Sequence, residues 1–204
     1  MTRFARLAPH LLVLCALLFA GAAHSQTTRI VALGDSNTAG YGVGRQAAFP
    51  AQLEANLRSR GFAVEVSNAG ISGDTTGGML ARLDSAVPPG TELAIVQGGY
   101  NDLRRGSSPD LIAANVEAIL ARLRARQVRA VLCGFYDQPW AAVASRHGAV
   151  FVPSDACYDI QSRGFDGLHM NVRGHQVVAA RLLPIVERML PSGSIGRAGR
   201  APPR

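Results

Sequence analysis

Apolar residues along the chain follow two alternating patterns, short continuous runs and longer segments with helical spacing. The short runs are four or five residues long and are bounded by Gly, Pro or polar residues, which is typical of buried strands. They predict strands at 29–33, 62–66, 93–97, 128–132 and 149–152.

The longer segments predict helices between these strands. The clearest is 108–126, where Ile112, Val116, Ile119 and Leu123 fall on one face. Further helices are expected at 50–60, 75–86, 140–147 and 172–190, the last with Pro184 inside it and therefore kinked. Strands joined through helices predict an α/β fold in which a mostly parallel five-stranded sheet lies between two helical layers.

The two ends of the chain differ from the part between them. Arg3 and Arg6 precede an apolar run at 11–23, and small residues surround a cleavage position after Ser25. This pattern predicts a signal peptide at 1–25, because the run is short for a membrane anchor. The Gly-, Pro- and Arg-rich segment 192–204 is expected to be a disordered tail. A single domain at 26–191, periplasmic or secreted and without a membrane span, remains.

Composition narrows the classes of function. The net charge is +7 and every one of the 21 basic residues is Arg, which excludes a lysine nucleophile or Schiff base. The arginines are scattered without interleaved aromatic residues, so no nucleic-acid partner is expected. No cluster of His, Cys and Glu predicts a metal site. Removal of the leader leaves Cys133 and Cys157, which form either a disulfide or two buried thiols.

Polar residues concentrate where the predicted strands end. Such residues occupy 34–37, 68–75 and 98–102, each directly after a strand, and 166–169 before the last helix. In parallel α/β sheets, sites form beyond the carboxyl ends of the strands. We therefore expect these four distant segments to meet at one edge of the sheet.

The four segments contain the parts of a serine nucleophile system. A serine hydroxyl needs a neighbouring base, usually a histidine that a carboxylate orients. Among the histidines outside the leader, only His169 has an acid close by in a loop, Asp166. His175 lies on a predicted helix and is expected to be a surface or packing residue.

The segments together resemble the SGNH hydrolases, also called GDSL esterases, and within them the bacterial periplasmic thioesterase I, lysophospholipase L1 and arylesterase group. The resemblance covers residues 29–190 and includes no Gly-x-Ser-x-Gly elbow of the α/β-hydrolases. It is carried by Gly34-Asp35-Ser36, Asn68-Ala69-Gly70-Ile71-Ser72-Gly73-Asp74-Thr75, Gly99-Tyr100-Asn101-Asp102 and Asp166-Gly167-Leu168-His169.

The resemblance implies a flavodoxin-like three-layer α/β/α sandwich and a role for each matching residue. Ser36 would be the nucleophile, His169 the base and Asp166 the residue that orients the base. The backbone N–H groups of Ser36 and Gly73 and the side-chain amide of Asn101 would form an oxyanion hole, with no cofactor.

Three departures from the pattern bear on the substrate. Tyr100 stands where close relatives often have Gly, and Met170 stands where Pro often follows the histidine. The stretch between Asn101 and Asp166 is also shorter, around 135–140, where relatives have a substrate-contacting loop. Tyr100 is therefore a candidate for the substrate pocket.

These observations predict an exported esterase or thioesterase acting on a small or lipid-like acyl ester. A deacetylase of acetylated carbohydrate or cell-envelope polymer would use the same residues, and the shortened region would suit a bulky substrate. A binding module without catalysis is the third hypothesis, because a fold alone does not establish a function.

Overall fold

The computed structural model describes residues 26–135 and 139–191, so the predicted leader and tail lie outside the described residues. Five strands form one parallel sheet. They are β1 (Thr28–Gly34), β2 (Val64–Gly70), β3 (Leu93–Gln97), β4 (Arg129–Cys133) and β5 (Val150–Val152).

The helices of the described residues lie between and after these strands. They are α1 (Ser36–Ala39), α2 (Phe49–Ser59), α3 (Thr76–Ala81), α4 (Leu83–Ala86), α5 (Tyr100–Arg104), α6 (Pro109–Ala125), α7 (Trp140–Arg146), α8 (Ser154–Cys157) and α9 (Val172–Met189). None of them has the length and apolar character needed to cross a bilayer.

The strand order is β2-β1-β3-β4-β5, which is the flavodoxin-like order. The predicted fold class is therefore confirmed. The order reverses at the boundary between β1 and β3, where successive crossovers leave in opposite directions. A crevice opens at such a point, beyond the carboxyl ends of the two strands, and the segments that follow β1 and β3 border it.

Two apolar layers hold the helices against the sheet. On one face, α2 and α9 pack on the sheet through side chains such as Leu53 and Leu182. On the other face, Ile119 of α6 and Trp140 of α7 are among the buried side chains. The central strands are apolar on both faces because both faces are covered, which explains their continuous apolar runs.

Side chains cover the exposed edge of β2. Glu54 accepts a hydrogen bond from Val66 N–H at 2.6 Å, and Arg58 Nε donates to Val64 O at 2.9 Å. Arg45 donates to Asn68 O and Gly70 O at the end of the same strand. Several backbone groups that point away from β1 are thus paired, which helps to protect an edge strand from pairing with another chain.

The observed elements differ from the predicted ones in three respects. Strand β2 begins at Val64 and continues to Gly70, through residues predicted to be a loop. The predicted helix 75–86 is divided at Arg82 into α3 and α4. Helices α1, α5 and α8 were not predicted, because four or five residues are too few to show a helical period.

Candidate active site

Ser36 begins the short helix α1 directly after strand β1. The Asp35 side chain caps this helix by accepting a hydrogen bond from Asn37 N–H at 3.0 Å. The turn is tight: a Cβ on Gly34 would lie 2.1 Å from Thr38 Oγ1. Ser36 is 8% exposed, so its hydroxyl is held in a defined place at the carboxyl edge of the sheet.

Ser36, His169 and Asp166 form a continuous chain of hydrogen bonds. His169 Nε2 lies 2.8 Å from Ser36 Oγ, and His169 Nδ1 lies 2.5 Å from Asp166 Oδ2. The serine and the histidine are 133 positions apart in sequence. The structure thus brings together the three residues that the sequence pattern selected.

The environment of Asp166 favours its ionised form. The hydrogen bond with the His169 ring is the main cause that lowers the pKa of Asp166, and the backbone N–H groups of His169 and Leu168 also contribute. An ionised carboxylate accepts from Nδ1–H, which leaves Nε2 of a neutral imidazole as the acceptor facing Ser36 Oγ. This arrangement can take a proton from the serine hydroxyl.

Backbone and side-chain bonds shape the loop that carries Asp166 and His169. Gly164 N–H donates to His169 O at 2.7 Å, and Asn171 N–H donates to Ser162 O at 2.9 Å. The Tyr158 hydroxyl donates to Leu168 O. Residue 157, next to Tyr158, forms a disulfide with Cys133, so the loop is tied covalently to the end of β4.

Gly73 and Asn101 lie on two adjoining segments next to the end of β1. Asp74 N–H donates to Ile71 O at 3.1 Å, closing a turn in which Gly73 has a φ of 80°, a conformation that favours glycine. Asn101 Nδ2 donates to Asp74 O at 2.8 Å, and the amide has a second N–H. Ile71 N–H donates to Gly34 O, which ties the turn to β1.

Buried polar residues that the sequence analysis did not select hold these segments in place. Asp102 accepts from the backbone N–H and the hydroxyl of Thr76, which joins α5 to α3. Gln97 accepts from Thr38 Oγ1 at 2.6 Å and donates to Cys157 O at 2.7 Å. For Gln97, the signal in the sequence was a polar residue at the end of an otherwise apolar strand. Such a residue is typically buried and hydrogen-bonded to other groups of the protein.

Aromatic residues surround the histidine and the turn. The Tyr41 ring lies 4.4 Å from the His169 ring, a contact that the sequence analysis did not anticipate. Tyr100, the candidate pocket residue, begins α5. The guanidinium carbon of Arg104 lies over the Tyr100 ring, 5.9 Å from the ring centroid. Phe135 packs against Gly99, where a Cβ would come within 2.0 Å of its ring. Residues 136–138, in the shortened region, lie outside the described residues.

Two further titratable groups are buried near the catalytic candidates. Burial raises the pKa of Asp35 from 3.8 to about 6, although Asn37 N–H opposes this shift. Burial also lowers the pKa of His175 from 6.5 to about 4. His175 Nδ1 accepts from Phe49 N–H at 3.2 Å, and the side chain is a packing residue. Within the described residues, no group of three or more His, Cys, Asp and Glu side chains could hold a metal ion.

Comparison with known proteins relates this geometry to a family. The model of the GDSL-like Lipase/Acylhydrolase family matches residues 32–177. The chain is 36% identical over 110 residues to the arylesterase of Vibrio mimicus, covering 53% of this chain and 55% of that protein. It is also 36% identical over 108 residues to thioesterase 1/protease 1/lysophospholipase L1 of Escherichia coli, covering 47% of this chain and 50% of that one.

A solved structure extends the likeness over nearly the whole described chain. The crystal structure of AlinE4, an SGNH-hydrolase family esterase, superposes with a TM-score of 0.63 and 32% identity. That comparison covers 82% of this chain and 98% of AlinE4, whereas the alignments to the two curated relatives span about half of their lengths. The names of these proteins agree with the predicted class of enzyme, an ester hydrolase.

Proposed function

Because this chain belongs to the GDSL-like lipase/acylhydrolase family, we propose that it hydrolyses carboxylic esters or thioesters through an acyl-enzyme on Ser36. The observation that carries the proposal is the hydrogen-bonded chain from Asp166 through His169 to Ser36 Oγ. A base within hydrogen-bond reach of a hydroxyl, itself oriented by a carboxylate, is the arrangement that makes serine nucleophilic.

In the proposed first step, Ser36 Oγ attacks the acyl carbon while His169 Nε2 takes the hydroxyl proton. The carbonyl oxygen becomes an oxyanion, which accepts from the backbone N–H groups of Ser36 and Gly73 and from the Asn101 amide. Collapse of this intermediate breaks the bond to the alcohol or thiol, which receives the proton from His169.

In the second step, water replaces the departed alcohol or thiol. His169 takes a proton from the water as it attacks the acyl carbon of the ester on Ser36. The second tetrahedral intermediate collapses, the bond to Ser36 Oγ breaks, and His169 returns the proton to the serine. The products are the free acid and the original enzyme, and no metal or organic cofactor takes part.

The proposed location of the enzyme is the periplasm or the exterior of the cell. Two features support export, the leader pattern at 1–25 and the Cys133–Cys157 disulfide, a bond that persists in oxidising compartments. N-terminal sequencing of the protein recovered separately from the cytoplasm and from outside it tests this proposal. We expect a mature chain that begins at Gln26, and recovery of an intact Met1 terminus would argue against it.

The nucleophile is tested by intact-mass analysis after treatment with a fluorophosphonate. We expect one adduct on the wild-type protein and none on Ser36→Ala. Ser72→Ala is the matched control, since Ser72 is an exposed serine in the adjoining loop and its loss leaves labelling unchanged. Equal labelling of Ser36→Ala and wild type would refute the assignment of the nucleophile.

The oxyanion hole is tested by the turnover of Asn101→Ala. Loss of one oxyanion donor costs a rate factor of about 100 to 1000, and we expect this in kcat with a much smaller change in KM. A folded Asn101→Ala protein with the wild-type kcat would remove Asn101 from the mechanism. Turnover of p-nitrophenyl acetate, of longer acyl esters, of an acyl thioester and of acetylated polysaccharide then separates an esterase or thioesterase from a deacetylase.

A further inference from the structure

Three exposed apolar side chains of the described residues lie on the face that contains Ser36. Seven large apolar side chains are exposed in the described residues, and one of them, Val150, lies at the start of β5, at the opposite edge of the sheet. Three lie in the segments that build the site: Tyr41 (45% exposed), Ile71 (49%) and Phe165 (85%). We call these three residues the apolar rim.

Phe165 is the most exposed member of the apolar rim. It directly precedes Asp166, and its ring packs along one edge against Gly42, next to Tyr41. Because Phe165 is 85% exposed, most of its apolar surface stays in contact with water, and its ring gains little of the stabilisation that burial would give. Such a side chain at the mouth of a site is typical of a surface that meets an apolar environment.

Four exposed arginines accompany the apolar rim. Arg45 lies at the carboxyl end of β2, Arg104 and Arg105 end the short helix α5, and Arg163 lies two residues before Phe165. No ion pair joins any of the four to a carboxylate in residues 26–135 and 139–191. Arg45 donates to Asn68 O and Gly70 O, and Arg105 donates to Gly73 O. A carbonyl does not neutralise a guanidinium, so the four positive charges can still attract an anionic partner.

We propose that this face docks on an anionic lipid surface, with Phe165 entering the headgroup layer and the positive charges of the four arginines attracting its phosphates. Guanidinium groups bind phosphates in a bidentate manner, and the attraction to anionic lipid adds to the burial of aromatic surface. A protein partner that covered the same face would block the access of a substrate to Ser36. A lipid layer instead supplies single molecules to it.

Docking would present acyl chains to Ser36, so its purpose rests on the proposed function. Binding to a lipid surface, however, needs no turnover. The first measurement therefore uses Ser36→Ala, sedimented with vesicles of phosphatidylglycerol or of phosphatidylcholine. We expect binding to the phosphatidylglycerol vesicles that weakens at high salt, and little binding to phosphatidylcholine. Absence of binding to phosphatidylglycerol at low salt, or equal binding to both lipids, would overturn the proposal.

Substitutions on two faces locate the docking surface. In the Ser36→Ala background, Arg163→Gln is expected to weaken vesicle binding about fivefold and Phe165→Ser about tenfold. The matched controls are Arg124→Gln and Val150→Ser, an exposed arginine and an exposed apolar residue on the opposite edge. Equal effects on both faces would mean nonspecific attraction of a cationic protein, and the assigned face would be wrong.

A tryptophan probe tests the depth of Phe165. Trp140 is buried, so a shift of emission on adding vesicles reports the introduced residue. We expect a blue shift for Phe165→Trp with phosphatidylglycerol vesicles and none for Val150→Trp. An unchanged Phe165→Trp spectrum with bound protein would show that another surface makes the contact.

Hydrolysis of a soluble ester separates the two proposals. Arg163→Gln in the otherwise wild-type chain is expected to keep the wild-type rate on p-nitrophenyl acetate. If the wild type binds vesicles but hydrolyses no ester or thioester, the proposed function fails and docking stands. If it hydrolyses soluble esters but ignores anionic vesicles, docking fails and the proposed function stands.

Discussion

The ring of Tyr41 lies 4.4 Å from the imidazole of His169, at an interplanar angle of 41°. The backbone N–H of Tyr41 donates to Ser36 O at 3.0 Å, so Tyr41 contacts the histidine with its ring and the serine segment with its backbone. Tyr41 thereby links the two halves of the hydrogen-bonded chain, which come from distant parts of the sequence.

Replacement of this ring is expected to reduce turnover without abolishing it. Aromatic pairs contribute about 0.5–1.5 kcal/mol, so Tyr41→Ala should lower kcat about two- to tenfold by loosening the imidazole. Tyr41→Phe keeps the ring and should retain the wild-type kcat on a p-nitrophenyl ester. If Tyr41→Phe fell as far as Tyr41→Ala, the hydroxyl and not ring packing would be responsible.

Asp35 is expected to destabilise the fold above pH 6. Its pKa is raised to about 6 in the folded protein against 3.8 as the ordinary value, so between these pH values only the folded state keeps the proton. The free energy of unfolding therefore falls as pH rises through this window, by about 3 kcal/mol in total. Asp35→Asn, which preserves a capping side chain, should remove this loss.

Urea unfolding at pH 4.5 and pH 8 measures the effect of Asp35→Asn. The variant should gain about 3 kcal/mol over wild type at pH 8 and about 1 kcal/mol at pH 4.5. Glu65→Gln is the control, because Glu65 is exposed on β2 and its neutralisation should leave the pH profile unchanged. A profile of Asp35→Asn parallel to wild type would contradict the role given to burial.

His175 is expected to act in the opposite direction. Its pKa is lowered to about 4 in the folded protein, so between pH 4 and 6.5 the unfolded state gains a proton that the buried imidazole does not. The contribution of neutral His175 to the free energy of unfolding is present in full above pH 6.5. It is lost as the pH falls towards 4, by about 3 kcal/mol. His175→Asn can still accept from Phe49 N–H and should flatten the acid side of the unfolding profile.

Unfolding titrations across pH 4 to 7 compare His175→Asn with wild type. The difference in free energy of unfolding should change by about 3 kcal/mol over this range. A constant difference would show that His175 contributes packing alone.

The disulfide is expected to contribute both stability and turnover. Cys133 and Cys157 close a loop of 24 residues, for which the loss of chain entropy in the unfolded state corresponds to about 3–4 kcal/mol. Gln97 donates to Cys157 O, and Tyr158 OH donates to Leu168 O next to His169. The double variant Cys133→Ser/Cys157→Ser should therefore lose stability and some kcat. Unfolding free energies equal to wild type would show that the bond is not formed in solution.

The side chains that cover the exposed edge of strand β2 are expected to keep the protein soluble, so that their removal should promote aggregation. Glu54→Ala leaves Val66 N–H without its partner and Arg58 without its ion pair, and we expect a loss of about 1–2 kcal/mol and a tendency to aggregate. Light scattering during thermal unfolding measures the second effect. Glu65→Ala removes the same charge from an exposed position of β2 and serves as the control. Equal aggregation of the two variants would mean that net charge decides the outcome.

Much of the fold and the site could be read from local patterns. Apolar runs and helical spacing predicted all five strands and the longer helices, because burial on one or both faces imposes a period on the sequence. Three polar segments at strand ends and the segment before the last helix predicted Ser36, Asp166 and His169 as a group, and the structure brings these three side chains together at the carboxyl edge of the sheet. The resemblance to the SGNH hydrolases is confirmed by the family match.

Only the tertiary structure decided which side chains support those members. Gln97 bonds Thr38 59 positions away, Asp102 bonds Thr76 26 positions away, and Tyr41 packs on His169. The same holds for the disulfide, which the sequence left open, and for the buried environment of Asp35. These contacts depend on how parallel strands order themselves and how helices pack on them. A local pattern records which residues prefer burial, whereas the partners of a buried group are set by the register of elements distant in the chain.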